Sequence, residues 1–269
     1  MIVNIKGISL ACSDSGQGIP LLLVHGYPLN RRMWAPQVEG LSDIARILAP
    51  DLRGHGDSQA VPGPYSMELF ADDLAALLDA LDIQQKIVLC GLSMGGYITF
   101  AFYRKYAARL AGIILTATRA AADSPEARAA RDQAAELARE QGVGAIVNSM
   151  LPKIMAPTTY QQAPDLVSRA QGIMIATSLE GVLGDLEALK NRPDSTPLLK
   201  EIHLPTLILP GEQDQIVPLE EAQFMQAAIP GARLQIIPRA GHLTNLENPI
   251  AFNMHVRQFI QFLQSAEQK

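Results

Sequence analysis

Short apolar runs alternate along the chain with stretches whose apolar residues recur every three or four positions. The short runs predict strands. Ile2, Val3 and Ile5, then Ile8, Leu10 and Cys12, flank Lys6-Gly7 in an alternating pattern that predicts a β-hairpin. After the turn Gly16-Gln17-Gly18, residues 21–24 are continuously apolar, as in a strand buried on both faces. Residues 44–49, 87–90, 112–116, 206–209 and 234–237 complete the expected strands. Helical patterns fall between them. The spacing predicts a helix over 66–82, with Ser66 as cap and Phe70, Leu74, Leu77, Leu78 and Leu81 on one stripe. Further helices are expected over 94–106, 220–229 and 249–264, the last capped by Asn248 with Pro249 in its first turn. Such alternation predicts an α/β fold, a mostly parallel sheet with helices on both faces.

Residues 117–200 break the rhythm. No strand run occurs there; 120–140 is alanine-rich and helical in propensity, and Gly142, Gly144, Pro152, Pro157 and Pro164 punctuate the rest. The stretch is too long for a loop inside a compact domain. The expected organisation is a core from 1–116 and 201–269, with 117–200 inserted as a helical cap over one edge of the sheet.

Composition narrows the function classes. Apolar residues make up 48% and charged residues 18%, against a usual charged share of roughly 25%. That excludes a disordered chain. A net charge of −5 without a basic block argues against nucleic acid or an anionic membrane as partner. Cys12 and Cys90 form no disulfide framework and read as small core hydrophobes. Residues 87–103 carry no charge, but they fall short of the roughly 20 apolar residues of a spanning helix and hold Gly91, Ser93, Gly95 and Gly96 at their centre. The first residues lack the charged and apolar regions of a signal peptide. The expectation is a soluble, cytoplasmic protein.

The strongest chemical feature is Gly91-Leu92-Ser93-Met94-Gly95-Gly96, which follows the buried run 87–90 and opens a helix. G-x-S-x-G alone is weak; the strand–turn–helix setting is what the motif requires. A nucleophilic serine must stand on a turn sharp enough to expose its Oγ, and flanking glycines give room for that turn. A base is needed as well. In open parallel sheets, sites form at the carboxyl ends of strands. His203 precedes a strand and His255 lies on the last helix. His25 opens a glycine loop and His55 lies in a turn. His242 follows the last strand, just before the final helix, and is the expected base. Asp214, in Gly211-Glu212-Gln213-Asp214 after the strand 206–209, is the expected carboxylate that orients it. Glu212, Asp51 and Asp123 compete for that role. The order Ser93, Asp214, His242 is that of this triad on this architecture. Backbone N–H groups of Met94, after the nucleophile, and Tyr27, in His25-Gly26-Tyr27-Pro28, are the expected oxyanion donors.

HGYP at 25–28, DLRGHGDS at 51–58, GLSMGG at 91–96, GEQD at 211–214 and GH at 241–242 together resemble the α/β-hydrolase family in its capped branch. Within it the sequence is similar to carboxylesterases and to the 3-oxoadipate enol-lactonase and cofactor-free haloperoxidase group. The resemblance implies an eight-stranded sheet whose second strand is antiparallel, and a cap covering the site. Dehalogenases and epoxide hydrolases of the family carry aspartate as nucleophile, so Ser93 speaks against both. The expected activity is hydrolysis of a carboxylic ester or lactone through an acyl-enzyme. Carbon–carbon bond hydrolysis, hydroxynitrile-lyase-like or perhydrolase chemistry, and a ligand sensor with little turnover, are the alternatives. No metal-ligand spacing is present, so neither metal nor cofactor is expected.

The expected partner is a small ester or lactone with an apolar acyl or aryl part, because the cap supplies Ile146, Met150, Leu151, Ile154, Met155, Met174 and Leu179. Met150, Leu243 and Trp34 are expected at the pocket. Arg119 is the expected cation for a carboxylate-bearing substrate, or else a salt bridge at the cap hinge.

Overall fold

In the computed structural model, which describes residues 1–267, the apolar runs form one eight-stranded sheet. Its strands are β1 (Ile2–Ile5), β2 (Ile8–Ser15), β3 (Ile19–Val24), β4 (Ala45–Pro50), β5 (Ile87–Leu92), β6 (Leu110–Thr116), β7 (Thr206–Leu209) and β8 (Arg233–Leu234). Their order across the sheet is β1-β2-β4-β3-β5-β6-β7-β8. β2 is antiparallel to both neighbours and every other pair is parallel. Eleven α-helices accompany the sheet among the described residues: α1 (Ala35–Leu41), α2 (Met67–Ala80), α3 (Met94–Tyr106), α4 (Pro125–Gln141), α5 (Val143–Met150), α6 (Pro157–Gln162), α7 (Pro164–Ile175), α8 (Leu179–Asn191), α9 (Leu219–Ala228), α10 (Thr244–Glu247) and α11 (Pro249–Glu267).

Two-sided burial holds the register. Leu21 and Leu23 of β3 pack with Val88, Cys90 and Leu92 of β5 against Leu41 of α1 and Phe252, Val256 and Phe259 of α11. Leu22 and Val24 turn the other way, joining Leu89, Ile113 and Leu115 under Leu74 and Leu77 of α2 and Phe100 of α3. Burying each such side chain contributes about 1.5–3 kcal/mol, and a one-residue slip would exchange the two faces. Cys12 and Cys90 are buried in these layers. The caps act as the pattern predicts: the Ser66 hydroxyl accepts the Leu69 N–H at 3.0 Å, and Asn248 Oδ1 accepts that of Ala251 at 3.2 Å. No helix among the described residues is long and apolar enough to cross a membrane. The uncharged stretch 87–103 is instead β5, a sharp turn and most of α3.

The last strand is shorter than predicted. Only Arg233–Leu234 is strand, although Gln235 donates to the Ile208 carbonyl at 3.0 Å and Ile237 to that of Pro210 at 2.9 Å. Pro210 is the reason: it has no N–H to return to the ladder, so pairing resumes only as a bridge between Gly211 and Ile237.

Between β6 and β7 the chain forms α4 to α8, fastened to the loops at the carboxyl edge of the sheet. Thr177 Oγ1 donates to the Pro28 carbonyl and Asn30 Nδ2 to that of Ile173, both at 2.8 Å. Ser178 donates to the Gly54 carbonyl from both its N–H and its hydroxyl. Gly54 and Gly181 meet so closely that a Cβ on Gly181 would lie 2.4 Å from the Gly54 oxygen.

Thr116, at the end of β6, ties three elements together. Its hydroxyl donates to the Leu209 carbonyl at 2.7 Å and lies 2.9 Å from the Thr244 hydroxyl, while its own carbonyl accepts the Ser93 N–H at 2.9 Å. Thr116→Val keeps the shape and strands buried polar groups. It is expected to lower stability by about 1–3 kcal/mol, read as a lower urea midpoint with an unchanged slope.

Candidate active site

Ser93 stands on the turn between β5 and α3 with φ 54° and ψ −112°, a left-handed conformation that a serine adopts only under constraint. Close backbone contact imposes it. A Cβ on Gly91 would lie 2.1 Å from the Gly95 carbonyl, and one on Gly95 2.2 Å from that of Val24. The Ser93 N–H is tied to Thr116, and its carbonyl accepts the Thr118 hydroxyl at 2.8 Å. No other residue can relax without moving the strand ends, so the serine side chain is presented at the carboxyl edge of the sheet.

His242 lies between β8 and α10, and Asp214 follows β7. His242 Nδ1 and Asp214 Oδ2 are 2.8 Å apart, with side chains 5% and 1% exposed. Asp214 Oδ1 accepts the N–H groups of Ile216 and Val217 at 2.8 and 3.0 Å. Burial alone would raise its pKa; His242 and these two donors outweigh that, and the carboxyl is held below its ordinary value. The competing carboxylates are engaged elsewhere. Glu212 is exposed and accepts the Arg239 N–H, Asp51 is buried against Arg31, and Asp123 pairs with Arg131 and Arg192.

Ser93 and His242 line one cavity of about 230 Å³, together with Tyr27, Met94, Tyr97, Met150, Ile216 and Val217. Among the described residues, neither the Tyr27 N–H nor the Met94 N–H has a protein acceptor. Met94 opens α3, where unpaired N–H groups and the helix dipole favour developing negative charge. A Cβ on Gly26 would lie 3.0 Å from the Leu92 carbonyl and 3.1 Å from Ser93 Cβ, so the loop carrying Tyr27 sits directly against the nucleophile's turn. A larger surface cleft of about 920 Å³, around Arg31, Val38 and Arg169, contains none of the expected site residues.

The other expected pocket residues divide. Met150 and Arg119 line the cavity. Trp34 and Leu243 do not, which corrects the sequence-based expectation. Trp34 closes a 3-10 helix with its ring turned inward, 6.1 Å from that of Phe252, and Leu243 is buried in the same layer. Of the cap's apolar residues Ala127, Met150 and Leu189 line the cavity; Ile154, Met155 and Met174 pack in the core.

The lining is apolar only in part. Arg119, Asp123, Arg131 and Arg192 form part of the wall. Arg192 is 4% exposed. Its guanidinium lies 4.2 Å over the Tyr97 ring, donates to the Leu189 and Ala121 carbonyls, and pairs with Asp123 at 2.7 Å. Arg131 meets Asp123 only through Nε at 3.1 Å, which leaves its terminal amino groups for another anion. Arg119 donates to the Ile216 carbonyl and lies 3.7 Å from Glu221. Glu247 is a further residue the motifs do not reveal. Its carboxylate accepts from Gly241, beside the base, and from Ala156 and Thr159 across the insertion. No group of three or more His, Cys, Asp or Glu side chains among the described residues is placed to hold a metal ion.

A family model described as the alpha/beta hydrolase fold matches residues 19–249. The chain is 31% identical over 233 residues to 3-oxoadipate enol-lactonase 2 of Acinetobacter baylyi, covering 87% of this chain and 85% of the relative. It superposes on a thermophilic esterase from Thermogutta terrifontis with malate bound at a TM-score of 0.95, with 43% identity and 98% of each chain covered. An enol-lactonase from Burkholderia xenovorans superposes at 0.90, with 30% identity over 97% of this chain and all of that one, 100%.

The depressed pKa of Asp214 has a signed consequence for stability. The folded protein binds that proton more weakly than the unfolded chain, so the carboxylate stabilises the fold at neutral pH and the contribution is lost as pH falls through its folded value. By urea denaturation, the stability advantage of the native protein over Asp214→Asn is expected to be full at neutral pH. It should shrink below about pH 4; an advantage that grows on acidification contradicts the pairing.

Proposed function

We propose that this chain, which belongs to the α/β hydrolase family, is a serine hydrolase that cleaves a small carboxylic ester or lactone through an acyl-enzyme. The observation that carries the reading is that His242, paired with Asp214, lines the same cavity as the strained Ser93. His242 takes the hydroxyl proton as Ser93 Oγ attacks the substrate carbonyl. Asp214 holds the proton on His242 Nδ1, so that Nε2 is the basic nitrogen, and steadies the imidazolium that forms. The backbone N–H groups of Tyr27 and Met94 receive the oxyanion. The imidazolium then protonates the leaving alkoxide. Water, deprotonated by His242, attacks the acyl carbonyl, and Ser93 departs with its proton restored. Residues 117–200 act as a cap, since α4, α5 and α8 contribute cavity wall over the core of 1–116 and 201–269.

The same wall supports a substrate class. A cavity of about 230 Å³ suits a small molecule, and its wall carries one carboxylate, Asp123, and three arginines, two of them paired with Asp123. The excess cation favours an ester or lactone bearing a carboxylate of its own, held by Arg131. The likeness to enol-lactonases and to an esterase with malate, a dicarboxylate, bound points the same way.

Ser93→Ala and His242→Ala are each expected to lower turnover of an aryl ester by about 10⁴-fold or more without loss of cooperative unfolding. A fluorophosphonate should add its phosphonyl mass to the peptide containing Ser93; turnover within tenfold of native, or labelling elsewhere, rejects the assignment.

Arg131→Gln is expected to lower kcat/KM for a half-ester of a dicarboxylic acid by about tenfold or more, as one charged contact is lost. The neutral ester of equal length should change far less. Equal losses on both would remove the carboxylate preference.

A further inference from the structure

Behind the oxyanion loop lies a buried group of ionisable side chains that take no part in the acid–base chemistry: His25, His55 and Asp185, each with no exposed surface. His25 follows β3, His55 lies in the loop after β4, and Asp185 comes from α8 of the cap. The ring nitrogens of His25 have distinct partners. Nε2 accepts the Leu52 N–H at 3.0 Å, so the proton sits on Nδ1, which donates to the Gly26 carbonyl at 3.0 Å. The Leu29 N–H donates to the same carbonyl at 2.8 Å.

That carbonyl belongs to the peptide whose other end is the Tyr27 N–H. The Gly26–Tyr27 bond is trans; among the described residues the cis bond is Tyr27–Pro28. In a planar trans peptide the C=O and N–H point in opposite directions. Two donors that hold the Gly26 oxygen towards the core therefore turn the Tyr27 N–H towards the cavity.

The cap reaches this group through His55. The two imidazole rings stand 4.8 Å apart. His55 Nδ1 faces the Arg53 carbonyl at 2.9 Å, and its Nε2 lies 2.8 Å from Asp185 Oδ2, close but out of hydrogen-bond alignment. The Arg53 carbonyl at Nδ1 and the Asp185 carboxylate beside Nε2 favour the protonated ring and raise its pKa above the ordinary histidine value. Burial opposes that charge, and Asp185 and the Arg53 carbonyl overcome it. Burial, and then the charge on His55, hold His25 well below the ordinary histidine range, which keeps it neutral and single-proton. Around the cluster, the Tyr27 hydroxyl is buried without a partner, and Thr177 of the cap holds the Pro28 carbonyl at 2.8 Å.

We propose that His25 is a positioning residue for the oxyanion donor at Tyr27, and that the cap carboxylate Asp185 supports it through His55. Seating of the cap and completion of the oxyanion hole are then one event. The inference rests on the serine-hydrolase reading and adds residues that touch neither substrate nor nucleophile.

The test uses the full chain with a neutral aryl ester, a trifluoromethyl ketone that forms a tetrahedral oxyanion adduct, and the product acid as ground-state competitor. His25→Leu should lower kcat by about 10²–10³-fold, the loss of one oxyanion donor, with KM nearly unchanged. His25→Asn, which can still offer an amide proton to the Gly26 oxygen, should recover much of it. Asp185→Asn should lower kcat by about tenfold or more and weaken the ketone by the same factor, leaving the product acid's affinity intact. A purely structural role would move both inhibitors together. Nitrogen-15 spectra of the histidines should show His25 neutral with its proton on Nδ1, and His55 doubly protonated; an Nε2–H tautomer at His25 overturns the proposal even if the variants unfold. If Ser93→Ala abolishes turnover while His25→Leu retains native kcat and ketone affinity, this inference alone fails. If the native protein neither turns over esters nor binds the ketone, the hydrolase reading fails and takes the inference with it.

Discussion

The constraint on which the rest of the structure depends is the backbone crowding around Ser93. A non-glycine residue at φ 54° costs about 1–3 kcal/mol and persists only where its surroundings over-determine it. Here they do so from three strands. Gly95 is pressed on the Val24 carbonyl from β3, the Ser93 N–H is tied to Thr116 of β6, and Gly91 of β5 has its own Cβ position filled by Gly95. β3, β5 and β6 must therefore be adjacent, parallel and in register, which is the order the sheet adopts. The loop that follows β3 inevitably passes beside the nucleophile. Proximity of Tyr27 to Ser93 is a consequence of sheet topology, and needs no separate device.

Burial then sorts the charges. Asp214 faces His242 in the cavity, Asp123 stands between Arg131 and Arg192 on its wall, and Asp185 faces His55 behind the oxyanion loop. Buried ion pairs are poor sources of stability, because desolvation offsets much of the attraction; losing one partner, however, leaves a costly lone charge. Such pairs resist separation more than they favour folding. One of the three, His55 with Asp185, spans the joint between core and insertion and helps fix where the insertion sits. Asp123 acts within the insertion, holding Arg131 of α4 beside Arg192 at the end of α8.

The sheet was legible from the chain because strands buried on both faces leave continuous apolar runs, and helices between them leave a stripe. The end of β8 was not, because its length depends on Pro210 of the neighbouring strand. Placement of Ser93, His242 and Asp214 at one edge followed from strand polarity, which needs no tertiary detail. Trp34 and Leu243 were misplaced because nearness in sequence to a site loop says nothing of which way a side chain turns; both turn into the core. Arg192 and Asp185 lie in a segment without a motif, and their partners, Asp123 and His55, are far away along the chain. No spacing rule reaches them.

The apolar residues of the cap suggested an apolar pocket. Composition says nothing about which way each side chain turns. The cap needs apolar residues to dock, and Met155 and Met174 serve that purpose in the core. Residues that docking does not consume are free to face the cavity, and at 119, 123, 131 and 192 these are charged. Docking and substrate selection draw on overlapping sets of residues, with Met150 and Leu189 common to both. Cap composition reports the whole segment, while the side chains turned towards Ser93 decide what can enter.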